Sequence, residues 1–262
     1  MAQKRTARQV GLARALSKLG YCSRSQAPKQ IRDGRVRLNG ATPRNPETPV
    51  RVGTDRIEID HGTLKPQAKV YLILNKPGGV VTTASDEKGR ETVYACLPEG
   101  LPWLAPVGRL DKASEGLLLL TNDSEWAARV SAPETHLDKT YHVQVQGACE
   151  ETLLAAMEKG VTGKDGEMLR AKRVEILRRG ERNAWLTIVL DEGKNRQIRR
   201  MLESAGKKVL RLVRVSIGPL ALGELPKGSC RALSATGPEP RLVTTAGTAP
   251  RYCASAAPLN SA

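Results

Sequence analysis

The sequence is organised around residues 106–123, which read PVGRLDKASEGLLLLTND. Four consecutive leucines followed by a polar Thr-Asn-Asp turn predict a strand that is buried on both faces. One carboxylate, Asp111, lies just before this strand and is flanked by Arg109 and Lys112. Because nearby positive charge favours the ionised form of an acid, we expect Asp111 to be charged at neutral pH. Such a group suits a nucleophile or an electrostatic stabiliser acting on an anionic substrate, and the alternative is an ordinary surface aspartate.

The charge of the chain indicates a polyanionic partner. Its 262 residues include 42 Lys and Arg against 27 Asp and Glu, which gives a net charge of +15 and a pI near 9.9. Residues 1–60 hold thirteen basic and five acidic side chains, and residues 192–214 hold eight and two. We therefore expect two basic surfaces on one or two domains. Nucleic acid is the first candidate partner and an anionic membrane surface the second.

The sequence also argues against several classes of protein. No apolar run approaches the roughly 18 residues that a membrane span needs, and the N-terminus lacks the features of a signal peptide. Five cysteines are scattered without a Cys-x-x-Cys pair, which predicts free thiols in a reducing compartment. The three histidines lack the spacing of metal ligands. We expect a cytoplasmic protein that uses no metal and has no membrane partner.

Residues 1–60 predict a small module of two helices and a sheet. Apolar residues at helical spacing predict a helix over 10–19 that ends at a glycine. A second helix is predicted over 25–31, with Pro28 in its first turn. Two short alternating segments then predict strands, the first of them closed by an Asn-Gly turn. The cations that we expect to contact phosphates are Arg14, Lys18, Arg24, Lys29, Arg32, Arg35 and Arg37.

The order of these features resembles an S4-type RNA-binding domain. The matching segments read LARAL at 12–16, GYCSR at 20–24 and IRDGRVRLNG at 31–40. The resemblance implies that the module binds RNA, and the alternative is a generic pair of solvated basic helices. Residues 61–68, which contain a glycine and a proline, are expected to form a short linker.

Residues 69–235 predict a second, larger module. Predicted strands lie at 70–74, 138–145, 173–177, 184–190 and 207–215, and predicted helices at 125–130, 151–159 and 198–205. In the last helix, the apolar stripe that we expect to pack into the core consists of Ile198, Met201, Leu202 and Ala205. Residues 236–262 are rich in Gly, Pro, Ala and Thr without periodicity, which predicts a disordered tail.

Two features of this module bear on function. Arg196, Arg199 and Arg200 share the arc of the last helix that lies opposite its apolar stripe. Like charges so close together repel each other, which favours an anionic partner over a merely solvated face. Tyr141 lies near the start of the 138–145 strand, and its periodicity alone favours an ordinary buried tyrosine.

Four stretches together resemble RNA pseudouridine synthases of the branch that carries an N-terminal S4 domain and acts on ribosomal RNA. They read NKPGGVVTT at 75–83, GRLDKASEGLLLLTND at 108–123, KTYHV at 139–143 and EGKNRQIRRM at 192–201. The resemblance implies an α+β fold in which helices flank a central, mainly antiparallel sheet. It also implies that Asp111 is the catalytic carboxylate, that Tyr141 stacks on the flipped base, and that Arg199 pairs with Asp111.

The implied reaction is the isomerisation of a specific uridine to pseudouridine, which requires no cofactor because it involves no redox change. The implied partner is ribosomal RNA or a ribosomal assembly intermediate, bound by a monomer. Asp111 could attack C1′ or C6 or act as a base, and the sequence does not choose among these roles. The cations expected to contact RNA around the site are Arg109, Lys139, Arg196, Arg200, Arg211 and Arg214.

Other S4-bearing proteins fit the sequence less well. A non-catalytic S4-type RNA-binding or ribosome-assembly protein would not need the second module with its acidic motif. A methyltransferase would carry a Gly-x-Gly cofactor loop after a strand, and the sequence has none. An aminoacyl-tRNA synthetase would carry paired nucleotide-binding signatures, which are also missing.

Overall fold

The computed structural model describes residues 9–60, 62–65, 67–84, 86, 88–234 and 241–242. Its N-terminal elements are β1 (Val10–Gly11), α1 (Leu12–Lys18), α2 (Ala27–Arg32), β2 (Val36–Leu38), β3 (Pro49–Val50), β4 (Ile57–Ile59) and β5 (Gly62–Thr63). The elements that follow are β6 (Tyr71–Lys76), β7 (Ala105–Val107), β8 (Glu115–Thr121), α3 (Ser124–Ser131), β9 (Lys139–Gln146), α4 (Glu151–Lys159), β10 (Val161–Thr162), β11 (Met168–Leu169), β12 (Arg173–Arg179), β13 (Asn183–Leu190), α5 (Gln197–Ser204), β14 (Val209–Ile217), β15 (Leu220–Ala221), β16 (Cys230–Ser234) and β17 (Arg241–Leu242). Short 3-10 helices span Val93–Cys96 and Pro133–Thr135.

The N-terminal module packs α1 and α2 against two small sheets. Strand β1 pairs with β3, while β2, β4 and β5 form the other sheet. The core of the module includes Leu12, Leu16 and Ile31, which have no exposed surface. Pro28 lies in the first turn of α2, where its missing N–H costs no intrahelical hydrogen bond. The predicted helix pair and small sheet are therefore confirmed.

Strand β5 lies within residues 61–68, which we expected to form a short linker. It pairs with β4 in the antiparallel sense, with Gly62 opposite Ile59. Asp60 adopts a left-handed backbone conformation (φ 47°) at the point where the chain turns back onto β4. The described part of this segment thus extends the N-terminal sheet, because the edge of β4 supplies partners for its backbone N–H and C=O groups.

A ten-stranded sheet forms the second module. Its main path runs in the order β12-β13-β9-β14-β8-β6-β16-β17, with β15 paired to β14 and β7 paired to β8. The pairing of β14 with β8 is parallel, and the other named strand pairs are antiparallel. The expected α+β fold with a mainly antiparallel central sheet is confirmed.

Strand β8 contains the four leucines of the central stretch, and all four are fully buried. Leu118 and Leu120 point into one hydrophobic core, while Leu117 and Leu119 point into the other. Side chains alternate between the two faces of a strand, so a strand with cores on both sides needs an uninterrupted apolar run. The predicted doubly buried strand is confirmed.

A close backbone contact joins β8 to β14. Gly116 has φ 100°, and a Cβ atom at this position would lie 2.2 Å from the carbonyl oxygen of Arg214. Only glycine permits both the conformation and the approach. The contact brings β14 against the start of β8 and places Arg214 next to the loop that carries Asp111.

Helix α5 ends at Ser204, one residue before Ala205, the last residue of the predicted apolar stripe. Ile198, Met201 and Leu202 are buried as predicted, but Ala205 is exposed, so the prediction for Ala205 is wrong. Ala205 caps the helix, and Gly206 then takes a left-handed conformation (φ 68°) that directs the chain away from the helical path. A residue at the helix end no longer follows the helical periodicity from which its burial was inferred.

Most of residues 236–262 lie outside the described residues. Arg241–Leu242, however, form β17, which pairs with β16 through Leu233 and Leu242. The predicted disorder is wrong for these two residues because they add an edge strand to the sheet. Within the described ranges, no helix is long and apolar enough to cross a membrane.

Candidate active site

A cleft of about 580 Å³ lies beside β9, β14 and the start of α5. This volume is in the range of sites that hold a small ligand. The residues predicted from the sequence that line it are Arg109, Asp111, Lys139, Tyr141, Arg196, Arg199 and Arg214. The fold thus brings together four separate stretches of the chain. Among the described residues, no group of three His, Cys, Asp or Glu side chains is placed to hold a metal ion.

Asp111 lies in a tight turn immediately before β8. The Ser114 backbone N–H donates to the Asp111 carbonyl oxygen (3.0 Å), which closes the turn. Lys76, at the end of β6, has no exposed surface, and its Nζ donates to the carbonyl oxygens of Ser114 (2.8 Å), Pro77 (3.0 Å) and Asp111 (3.2 Å). A longer bond reaches the Lys112 carbonyl oxygen (3.4 Å). The lysine therefore fixes the backbone that presents the Asp111 carboxylate to the cleft.

The sequence did not reveal the role of Lys76, because residues 75–79 (NKPGG) predict only a tight loop at the end of a strand. Burial lowers the pKa of the Lys76 ammonium to about 8, since desolvation disfavours its charged form. The nearby acidic groups, including Asp111 and Glu115, act in the opposite direction. The lysine is thus a buried cation whose donors are used by the loop backbone.

Replacing Lys76 with methionine should lower the free energy of unfolding by about 3 kcal/mol, because buried carbonyl groups lose their donor. Urea denaturation would measure the loss, with Lys164→Met as the control at an exposed lysine. We also expect slower turnover by the folded variant, because the Asp111 turn loses its anchor. Unchanged stability would contradict the structural role of Lys76.

The pKa of Lys76 also predicts a dependence of stability on pH. It is about 8 in the folded protein, against an ordinary value of 10.5. Between these values the unfolded chain binds more protons, so the native state gains stability as the pH rises. We expect the unfolding free energy of the wild type, minus that of Lys76→Met, to increase from pH 8 to 10.5. A constant difference would show that the pKa of Lys76 is not lowered.

Tyr141 lies on β9, where burial alternates as the sequence predicted. The side chains of Tyr141, Val143 and Val145 are buried, and the residues between them are partly exposed. Tyr141 is 9% exposed and lines the cleft, with Ile188 and Arg214 as its neighbours on β13 and β14. An aromatic face at this position can contact a flat ligand in the cleft.

Arg199 lies on α5, and its guanidinium reaches the Asp111 turn. Its Nη2 donates to the Ala113 carbonyl oxygen (3.4 Å). Burial and the neighbouring Arg196 lower the pKa of Arg199, whereas Asp111 raises it. Across the described chain, Arg199 and Asp111 form no ion pair within 4.0 Å. In this structure the arginine contacts the loop backbone and attracts the Asp111 carboxylate over a longer distance.

The segment before α5 differs from the predicted arginine arc. Arg196 precedes the helix in a left-handed conformation (φ 47°), so it does not continue the helical arc of Arg199 and Arg200. Gln197, which sequence reasoning also missed, is buried at the start of the helix. Its Nε2 donates to the Arg170 carbonyl oxygen (2.8 Å) and to Glu192 Oε1 (2.6 Å). These bonds hold the loop in place, and this loop positions Arg196 in the wall of the cleft.

Two arginines that we expected to contact RNA are engaged by carboxylates. Arg200 pairs with Asp165 and with Glu167 (2.7 Å), both in the hairpin between β10 and β11. Arg211 forms two hydrogen bonds with Glu115 (2.8 and 2.9 Å) and lies over the ring of Trp185. Neither arginine lines the cleft. Their partners lie far away in sequence, so helical or strand periodicity could not reveal them.

The cations predicted in the N-terminal module also fall into two groups. Lys18 pairs with Glu125 on α3, Lys29 with Asp33, and Arg35 with Asp60. The second group consists of the exposed side chains Arg14, Arg24, Arg32 and Arg37, and no described residue forms an ion pair with them. The second group offers the N–H donors that are available to a phosphate.

The comparisons with known proteins agree with this geometry. Residues 70–204 match the RNA pseudouridylate synthase family, and residues 10–57 match the S4 domain. An uncharacterized RNA pseudouridine synthase of Aquifex aeolicus is 37% identical over 86% of this chain and 91% of its own length. The ribosomal large subunit pseudouridine synthase B of Bacillus subtilis is 35% identical over 85% of this chain and 91% of its own.

A solved structure has the same fold. A crystal structure of a pseudouridylate synthase is 31% identical, covers 86% of this chain and 96% of its own, and superposes with a TM-score of 0.59. The two family matches span both modules, and residues 70–204 include Asp111, Tyr141 and Arg199. The chain therefore belongs to the RNA pseudouridylate synthase family and carries an S4 domain ahead of its synthase segment.

Proposed function

We propose that the protein converts a uridine of large-subunit ribosomal RNA to pseudouridine. The observation that carries the reaction is the cleft, in which Asp111, Tyr141 and Arg199 lie among several cations. The choice of RNA rests on the relative from Bacillus subtilis, which is named for the ribosomal large subunit. The enzyme acts as a monomer in the cytoplasm, on free RNA or on an assembly intermediate.

The proposed reaction is an isomerisation in which every bond broken is balanced by one formed. The N1–C1′ bond breaks, and its electron pair stays with the uracil. The base rotates, C5 bonds to C1′, C5 loses its proton, and N1 gains one. Asp111 acts on C1′ or C6 or as a base, and each role needs an ionised carboxylate held in the cleft.

Tyr141 and Arg199 support Asp111 in different ways. The target uridine must leave its stack before it can enter the cleft, and the Tyr141 ring offers a stacking surface in exchange. Arg199 keeps a cation near Asp111 and holds the turn through the Ala113 carbonyl oxygen. A fixed positive charge in a partly buried site stabilises the negative charge that develops during the reaction.

The remaining cations bind the RNA backbone. Arg109 and Arg196 are exposed at the cleft, where they contact phosphates next to the target nucleotide. Arg200 and Arg211 bind phosphate only where the RNA displaces the acids that neutralise them. The S4 domain holds a more distant part of the RNA through its unpaired arginines.

Replacing Arg14, Arg24 and Arg32 together with glutamine should reduce the salt dependence of RNA binding. The slope of log K against log salt is negative, and each lost phosphate contact reduces its magnitude by about 0.7 to 0.9, so the triple variant should lose about 2 to 3. The matched control is the triple glutamine variant of Arg173, Arg178 and Arg179 on β12, which removes the same charge. Equal losses in the two variants would mean that only net charge matters.

Release of tritium from C5-labelled uridine in ribosomal RNA transcripts would test the proposed reaction. We expect release from large-subunit RNA, followed by base-resolved mapping to a single position. Release from small-subunit RNA alone would overturn the choice of RNA. If neither naked nor particle-bound RNA releases tritium despite tight binding, the protein is a non-catalytic RNA-binding or assembly factor.

A further inference from the structure

Arg214 on β14 is a buried cation with an unused donor. It is 5% exposed, and its Nε donates to the Leu117 carbonyl oxygen (2.8 Å). Its Nη2 is buried, and no described residue accepts a hydrogen bond from it. A buried N–H group without an acceptor costs free energy, and the cost is larger for a charged group. Arg214 lines the cleft, so a bound ligand lies next to this guanidinium and its unsatisfied donor.

Arg214 lies beside the tyrosine that is proposed to stack on the base. It is directly opposite Tyr141 in the antiparallel pairing of β14 and β9. Residues directly opposite each other project from the same face of a sheet, about 5 Å apart at Cβ. Lys139, two residues before Tyr141, lines the same cleft, and burial and the charge of Arg214 lower its pKa. The cleft wall around Tyr141 is therefore cationic.

We propose that Arg214 binds the O4 carbonyl oxygen of the target uracil. This assignment rests on the proposed function. Asp111 acts at C1′ or at the adjoining C6, so the edge of the base that carries C4 and O4, across the ring from N1, points away from Asp111 and toward another wall of the cleft. Arg214 is the most buried of the cations that line the cleft, whereas Arg109 and Arg196 are exposed and suit phosphates.

The chemistry of a guanidinium suits this role for two reasons. A guanidinium only donates hydrogen bonds. It can therefore bind uracil, whose O4 is a hydrogen-bond acceptor, but not cytosine, which carries a donating amino group at the same position. It also stabilises the base while the electron pair of the broken N1–C1′ bond is shared with O2 and O4. Rotation about the N3–C6 axis exchanges O4 with O2, so the same donor holds the base before and after it turns.

Binding of free nucleotides to the full-length protein tests the assignment. We expect the wild type to bind UMP about tenfold more tightly than CMP, because a mismatched polar group leaves the arginine unpaired. Arg214→Gln should remove this preference, and tritium release from RNA should fall about 100-fold in kcat/KM. The control is Arg178→Gln, at an exposed arginine of β12 that does not line the cleft.

Several outcomes would overturn the assignment. It fails if the wild type does not prefer UMP over CMP, or if Arg214→Gln keeps that preference. Equal weakening of UMP and CMP with unchanged binding of uridine would show that Arg214 binds phosphate instead. If the variant does not fold, guanidinium NMR of the wild type decides: the Arg214 signals should shift with UMP and not with CMP.

The same experiments separate this inference from the proposed function. If the protein selects UMP through Arg214 but releases no tritium from any ribosomal RNA, the uracil site is supported and the proposed reaction is contradicted. If the wild type and Arg214→Gln release tritium equally well, the proposed reaction is supported and the role of Arg214 in binding uracil is contradicted.

Discussion

Asp111→Asn should abolish tritium release, with a loss of more than about 10⁴-fold, because an amide can act neither as the nucleophile nor as the base. RNA affinity and thermal stability should stay close to those of the wild type. The turn that carries Asp111 is held through its backbone carbonyl, by Lys76 and the Ser114 N–H, and an asparagine keeps both bonds. Single-turnover assays at saturating RNA, with binding measured in parallel, would check the result.

The matched control for Asp111→Asn is Glu181→Gln, which removes one exposed carboxylate outside the cleft. It corrects for the change in net charge, which alone strengthens binding to RNA. A variant of Asp111 that loses RNA binding or folding together with activity would show a structural role for the residue. Full activity of the variant would exclude the carboxylate from the reaction.

Arg199→Met should slow turnover at saturating RNA by about 10²- to 10³-fold, because the reaction loses a fixed cation near the developing charge. Arg199→Lys should recover part of the rate, since a lysine keeps the charge but lacks the planar guanidinium that donates to the Ala113 carbonyl oxygen. Affinity for RNA should change little by comparison. Single-turnover rates for the three proteins would measure the effect.

Thermal unfolding separates catalysis by Arg199 from support of the loop. If Arg199→Met unfolds at the same temperature as the wild type and still loses its rate, the charge is needed for the chemistry. If both variants are equally slow, the bond to the Ala113 carbonyl oxygen and its geometry matter more than the charge. A normal rate for Arg199→Met would contradict the proposed role.

Local patterns were enough to predict most of the elements. The leucine run predicted β8, the alternation after residue 138 predicted β9, and the amphipathic stretch at 151–159 predicted α4 with its observed bounds. These patterns act within a few residues, so they do not depend on the rest of the fold. Predictions failed where an element ended, as at Ala205, or where the chain turned back to pair with the strand just before it, as at β5.

The candidate site was predictable only in part. The stretches around Asp111, Tyr141 and Arg199 pointed to one cleft, and these three residues do line it. Lys76, Gln197 and the open donor of Arg214 carry no local signal. Each of their roles depends on an atom contributed from another part of the chain.

The sequence by itself determined the helices and the longer strands, most of the apolar residues that form the core, and the acidic motif that stands before the central strand. Only the tertiary structure decided which cations are available to RNA. Arg200 and Arg211 are neutralised by carboxylates 35 and 96 residues away, whereas Arg214 is buried with a donor left open. The reason is physical: periodicity reports the environment of a residue, but a hydrogen bond or an ion pair needs a specific partner, which the fold supplies.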